Sequence, residues 1–309
     1  MIVTPIDIAI DKYINMHRAV SSNRTVEYYK DTLSMFLQYA NSEGIEYVHE
    51  FSQDKFLSYL TTLRNRGIKN TSVNTYTRGI RAFANWCVSQ DYIEKSFTEG
   101  VKKLRDDSDQ IFPLTSKQAQ EIDAYFGRLP FDDIYCHNMS NMNLRNYIIF
   151  HLMLDCGLRR QEVIKLDVDD VQHNCLVVRD SKYNKSRIVP IPEELHQYIE
   201  MYKLDTFANS STSALLLSRN GDRLSADGIR KLFYNISHDT GIHVHPHMLR
   251  HTFATSYVAG GGNLEFLRII LGHASYNITQ RYLHIAAQCT ISDIDIYRLD
   301  SCFFRNYNK

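Results

Sequence analysis

Residues 106–112 (DDSDQIF) form a polar stretch that runs into Pro113. Proline disfavours helix in the residue before it, so the helical patterning of the chain is interrupted here. The break predicts a linker over residues 106–112, between a first domain over 1–105 and a second over 113–309. A length of 309 residues also favours two domains. Just beyond the linker, Thr115-Ser116-Lys117-Gln118 has capping-box spacing and starts a new helix.

The first half reads as a helical bundle. Over residues 26–40, Tyr29, Leu33, Phe36 and Leu37 line one helical face, with Asn23 and Thr25 as caps. A second helix over 53–66 stops at Gly67. A third, over 71–88, carries Ile80, Phe83, Ala84, Trp86 and Cys87 as its apolar side. No strand-like alternation interrupts this half.

The second half is mixed. Residues 129–143 read as a loop and 144–156 as an apolar helix closed by Gly157. Residues 175–180 (CLVVRD) and 187–191 (RIVPI) read as two short strands joined by a polar hairpin loop over 181–186. Further helices are expected over 193–203, over 225–238 and from about Met248 onward. The expected fold is mainly α with a small antiparallel sheet.

Lysine plus arginine equals aspartate plus glutamate, 35 each. A net charge of zero excludes a protein that holds nucleic acid by bulk charge, but not one with a local basic face. Residues 61–105 carry nine basic and three acidic side chains. A solvated helix surface explains most charge runs. This one is one-signed and contains Asn74, Thr75 and Thr77, which suit phosphate contacts. The six cysteines, Cys87, Cys136, Cys156, Cys175, Cys289 and Cys302, show no CxxC spacing and read as reduced thiols. The amino-terminal stretch carries Asp7, Asp11 and Lys12 and does not read as a signal peptide. The longest apolar run is too short to span a bilayer. A soluble cytoplasmic protein without membrane partners is expected. No glycine-rich phosphate loop supports nucleotide binding.

Four segments carry reactive side chains: Gly157-Leu158-Arg159-Arg160-Gln161-Glu162; Ser181-Lys182-Tyr183-Asn184-Lys185-Ser186-Arg187; His247-Met248-Leu249-Arg250-His251; and Leu271-Gly272-His273, with Tyr282 nine residues on. Singly, each has an ordinary structural explanation. Arg159 and Glu162 could be a surface i, i+3 pair. His243, His245 and His247 alternate as metal-binding imidazoles can, but no acid or cysteine lies near them in sequence, and Pro246 breaks the segment. The expectation is no metal and no cofactor.

Together, in this order, the segments resemble those of the tyrosine recombinases, the lambda-integrase-like site-specific recombinases, and especially the short Xer-like members. The organisation is similar over roughly residues 5–290. The resemblance implies a helical core-DNA-binding domain followed by a mixed α/β catalytic domain. It makes Arg159 and Arg250 the two catalytic arginines, Lys182 the hairpin lysine, His247 the histidine of His-x-x-Arg, His273 that of Leu-Gly-His, and Tyr282 the nucleophile. Glu162 matches an acidic position that supports Arg159. The family's Gly-Lys-Gly-x-Lys-x-Arg hairpin here has Ser181 and Tyr183 in place of both glycines, so Lys182 and Lys185 both stand as general-acid candidates.

The implied chemistry is attack of Tyr282 on a DNA phosphate, giving a 3′-phosphotyrosine. Guanidinium groups suit charge on the non-bridging oxygens, and a phenol of pKa about 10 needs a proton acceptor. The resemblance further implies a duplex with a specific site, a homo-tetramer on DNA with or without a partner recombinase, major-groove entry by the 225–238 helix through Arg230 and Lys231, and DNA contacts from Lys185 and from Arg78 and Arg81 in the first domain. The segment after Tyr282, with Ile291, Ile294, Ile296 and Phe303-Phe304, would dock on a neighbouring protomer or on its own domain. The biological role is left between mobile-element integration or excision and Xer-like resolution. A DNA-binding protein of the same fold without catalysis, and a type IB topoisomerase-like enzyme, are the alternatives.

Overall fold

The computed structural model describes residues 2–105, 112–127, 137–180, 185–207 and 212–288. The chain divides into two compact units, Met1–Asp109 and Gln110–Lys309. The expected linker falls almost wholly on 106–111, outside the described residues.

The first unit contains α1 (Ile6–Val20), α2 (Asn23–Ser42), α3 (Gln53–Asn65) and α4 (Asn70–Ser89). Each buries one stripe, and the stripes meet in an aromatic core of Phe36, Phe56, Tyr59 and Phe83. The amide of Thr25 is capped by the side chain of Ser22, so Ser22 and not Asn23 or Thr25 is the N-cap of α2. Helices α2 and α4 approach closely at Gly79, where a Cβ would stand 2.9 Å from Thr32 Cγ2 and Tyr28 Oη. The chain after α4 folds back along it. Asn74 accepts from the Leu104 amide and donates to the Leu104 carbonyl, both at 2.9 Å. Thr77 is buried, and the Thr75 hydroxyl donates to the Thr71 carbonyl. Of the three residues that suited phosphate contacts, Asn74 and Thr77 are thus spent on the fold.

The second unit runs α5 (Ser116–Gly127), α6 (His137–Leu154), α7 (Arg160–Lys165), β1 (Val171–Gln172), β2 (Cys175–Asp180), β3 (Lys185–Pro190), α8 (Glu193–Phe207), α9 (Ala226–Thr240), α10 (Pro246–Ala259), α11 (Leu264–Leu271) and α12 (Tyr276–Gln288). The Thr115–Gln118 capping box is present. Helix α6 starts at His137, so 137–143 is helical and not loop. No proline or glycine lies between 137 and 156 to stop it. Ile148, Ile149, Phe150, Leu152 and Met153 are all fully buried, so α6 is the central helix of this unit. Strand order is β1-β2-β3, all antiparallel, with Leu176 opposite Val189 and Val178 opposite Arg187. Lys185 and Ser186 belong to β3 rather than to the hairpin loop, and β1 is a strand that sequence patterning did not mark. Loop residues 181–184 lie outside the described residues. The fold is mainly α with one small antiparallel sheet, as expected.

Candidate active site

The site is assembled from helix ends. Helix α10 is capped by His245, whose Nδ1 accepts from the Met248 amide, with Pro246 in the first turn. His245 is therefore occupied as a cap. This start places His247 and Arg250 three residues apart on one face. The turn after α6 needs Gly157: its φ is +64°, and a Cβ there would stand 2.5 Å from Phe253 Cδ1. That turn delivers Arg159 to the N-cap of α7. Helix α11 ends at Gly272, φ +61°. The freed carbonyls become acceptors for guanidinium groups. Arg250 donates to the carbonyls of Gly157 at 2.6 Å and Leu271 at 2.5 Å, and Arg159 donates to that of Gly272 at 3.1 Å.

Glu162 is the hub. Its carboxylate accepts from the side chain and amide of Arg159, each at 2.8 Å, and from both terminal nitrogens of Arg187 at 3.0 and 2.8 Å. Arg250 lies 3.9 Å away. Burial alone would raise its pKa, but Arg187, the Arg159 amide and Arg250 outweigh burial and hold it below the ordinary carboxylate value. Three guanidiniums around one carboxylate leave a formal excess of two positive charges. Arg250 is almost fully buried. Burial, with Arg159 adding, lowers its pKa to about 9, which leaves it charged at neutral pH. Arg159 is 35% exposed and reaches solvent.

The aromatic side of the site faces this nest. His273 is buried, with Nε2 3.1 Å from Arg250 Nη2 and Nδ1 3.0 Å from Thr279 Oγ1. Burial, then Arg250, Arg159 and Arg187, push its pKa down to about 3. Tyr282, 4% exposed, stacks on the His273 ring at 6.3 Å between centroids and 10° between planes. Burial raises its phenol above the ordinary value, while Arg250, Arg281 and Arg159 pull the other way. His251 lies 5.6 Å from the Tyr282 ring. Its buried Nδ1 has no partner among the described residues, and burial, then His247 and Arg250, lowers it to about 4. His247 is lowered by partial burial and then by Arg250, Arg160 and Arg159.

Arg159, Glu162, His247, Arg250, His273 and Tyr282 thus share one site. Lys182 lies outside the described residues, and Lys185 opens β3 opposite Asp180. Arg230 and Lys231 are exposed on α9, Arg230 with Asp227 at 2.9 Å. In the first unit, Arg78 sits over the Tyr28 ring, and Arg81 donates to the Val101 carbonyl at 2.6 Å. Residues after 288 lie outside the described residues. Sequence reasoning missed Arg187, His251 and Thr279 as members of the site. The first two ended quoted motifs, and Thr279 stands one helical turn before Tyr282. Among the described residues no three His, Cys, Asp or Glu side chains are grouped to hold a metal ion, and no helix is long and apolar enough to cross a membrane. Cys87 and Cys175 are free thiols.

The phage integrase family model matches residues 132–288, and the model of the SAM-like N-terminal domain of phage integrases matches residues 10–91. The chain belongs to the phage integrase family, the tyrosine recombinases, which cleave and rejoin DNA strands. Among its relatives, tyrosine recombinase XerD of Staphylococcus epidermidis (strain RP62A) is 28% identical over 286 residues, covering 90% of this chain and 94% of the relative. In fold, the chain is similar to a lambda integrase dimer bound to a COC′ core site, with a TM-score of 0.72, 14% identity, and 91% of this chain and 77% of that one covered. It is also similar to the XerH site-specific recombinase bound to a palindromic difH substrate in a post-cleavage complex. That match has a TM-score of 0.70, 18% identity and coverage of 90% and 81%.

Proposed function

We propose that this chain is a site-specific DNA recombinase whose nucleophile is Tyr282. The observation that carries the reading is the stacking of Tyr282 on His273, beside a nest of guanidiniums with two positive charges in excess. A phosphodiester carries one negative charge and gains a second in the transition state, which such a nest stabilises.

In the cleavage step the Tyr282 oxygen forms a bond to phosphorus and the bond from phosphorus to the 5′-oxygen breaks. The phenol proton passes to His247, which partial burial, with the neighbouring arginines adding, keeps in its neutral form. Lys182, or Lys185, protonates the leaving 5′-oxygen. Arg159 and Arg250 bind the non-bridging oxygens. The phosphotyrosine bond preserves the energy of the diester, so a 5′-hydroxyl of another strand reverses it without a high-energy cofactor.

The substrate is duplex DNA with a specific recombination site, contacted by Arg78 and Arg81 of the first unit and by Arg230 and Lys231 of the second. The working assembly is a homo-tetramer on DNA in the cytoplasm. The likeness to XerD over most of both chains supports recombination over relaxation of supercoils or binding without cleavage.

The test uses a pool of nicked duplexes of randomised sequence. Wild type should trap protein-linked DNA whose sequences share a site. Tyr282→Phe should bind the recovered duplexes with unchanged affinity and form no adduct. An adduct with the Phe variant, or none with wild type, overturns the assignment.

A further inference from the structure

Thr279 holds a position that neither its residue type nor its motif suggests. It is fully buried on α12, one turn before Tyr282. Its Oγ1 lies 3.0 Å from Nδ1 of His273, while the opposite edge of that ring places Nε2 3.1 Å from Nη2 of Arg250. A guanidinium has donors only, and Arg250, its pKa lowered to about 9, is protonated at neutral pH. The Nε2 that faces it is therefore the nitrogen with the lone pair. A neutral imidazole has one N–H, so the hydrogen sits on Nδ1 and Thr279 Oγ1 accepts it. The doubly protonated ring is disfavoured by the same contact, because it would aim an N–H at the guanidinium. The low pKa of His273 agrees.

The turn that carries His273 anchors only its backbone. Its amide donates to the Arg268 carbonyl at 3.0 Å, and its carbonyl accepts from Arg268 Nη1 at 3.1 Å. Helix α12 holds the ring at two places: Thr279 at an edge by a hydrogen bond, and Tyr282 at the face by stacking. Residues three apart share a helix face, so these two contacts form together and are lost together.

We infer that Thr279 is a positioning residue for strand cleavage, which fixes the tautomer and orientation of His273 and makes both depend on the seating of the nucleophile helix. Its catalytic consequence rests on the recombinase reading, whereas the tautomer does not. With α12 seated, His273 accepts from Arg250 through Nε2 and so helps hold that guanidinium in the nest. With α12 displaced, the ring loses its edge and face contacts at once, and the nest loses a fixed member. The site is complete only when its nucleophile is in place.

The test has two arms, each with Thr279→Val, which removes the hydroxyl at similar volume, and Thr279→Ser, which restores it. In the first, ring 15N spectra of the full DNA-free chain should show His273 as the Nδ1–H tautomer in wild type and Thr279→Ser, and a tautomer mixture in Thr279→Val. An Nε2–H ring in wild type, or a Thr279→Val ring like that of wild type, overturns the inference. In the second, nicked duplexes recovered with wild type from a random-sequence pool are used at saturation. Thr279→Val should form the covalent adduct about tenfold more slowly, as loss of one buried hydrogen bond predicts, with unchanged DNA affinity. Thr279→Ser should recover to within about twofold, since the bond is remade. A wild-type rate in Thr279→Val, or a Thr279→Ser variant as slow as it, overturns the positioning role. If wild type forms no adduct with any duplex, the recombinase reading falls and takes the catalytic consequence with it. The ring spectra still decide whether Thr279 sets the tautomer.

Discussion

Arg187 meets Glu162 fork to fork, Nη1 to Oε1 at 3.0 Å and Nη2 to Oε2 at 2.8 Å, while its Nε donates to the Ile270 carbonyl at 2.5 Å. One side chain on β3 thereby joins the sheet to the carboxylate that orients Arg159 and to the end of α11, which leads into His273. Both partners are about nine-tenths buried. Deleting one member of a buried pair leaves the other charge uncompensated. Arg187→Ala is expected to lower unfolding free energy by about 3 kcal/mol in denaturant titrations. Arg187→Lys keeps the charge but loses the fork, so its midpoint should lie between those of wild type and Arg187→Ala. An alanine variant as stable as wild type would show that Arg159 and Arg250 alone satisfy Glu162.

A second buried cluster ties α5 to α6 away from the arginine nest. His151 is held by Asp155 through Nδ1 at 2.7 Å and by Asp123 through Nε2 at 2.8 Å. Burial would lower its pKa, but the two carboxylates prevail and raise it to about 9. The folded value exceeds the unfolded one, so the protonated ring stabilises the protein fully below pH about 6.5. That contribution is lost as pH rises through about 9. Its size is on the order of 3 kcal/mol. The stability gap between wild type and His151→Gln should therefore be widest near pH 6 and shrink towards pH 10. A gap that does not change with pH would mean that the ring is neutral throughout.

Much of this was legible in the sequence, for identifiable reasons. Helices α2, α3 and α4 show because each buries one stripe at helical spacing, whereas sequence patterning does not mark α1, and Gly157 shows as a stop because only glycine takes its positive φ with little strain. The motif arginines and Tyr282 are recognisable by order and spacing. What escaped depends on partners distant in the chain. Residues 137–143 look like loop because asparagine and serine are weak helix formers, yet they extend a helix whose later turns are the core. Asn74 and Arg81 look free to meet phosphate until the returning chain supplies the carbonyls of Leu104 and Val101. Arg187 and Thr279 are an unremarkable strand arginine and helix threonine until Glu162 and His273 arrive beside them.

His247 should titrate below the ordinary histidine range. Partial burial is the main cause, and Arg250, Arg160 and Arg159 add to it. All of these disfavour the charged ring, so His247 is neutral at pH 7 and available as a base. An NMR titration of the DNA-free protein should give a midpoint below about 6.5. Arg159→Gln removes one of the opposing charges and should move that midpoint upward. A wild-type midpoint at or above the ordinary value would show that burial and the arginines do not hold the ring neutral.

The proposed DNA-facing role of α9 can be tested apart from stability. Arg230 and Asp227 form an ion pair on the surface, with side chains 73% and 77% exposed, and exposed pairs of this kind contribute little to folding. Lys231 is exposed beside it. Replacing both cations by alanine should leave the unfolding free energy within about 0.5 kcal/mol of wild type. If both meet phosphates, affinity for a generic duplex falls, and the slope of log affinity against log salt becomes shallower by about 2. Arg81→Ala is the contrasting case. Its guanidinium is tied to the Val101 carbonyl, so its loss should cost stability of the first unit as well as any phosphate contact. An unchanged salt slope in the Arg230 and Lys231 double variant would take α9 out of the DNA interface and leave the duplex to be held from other elements of the second unit.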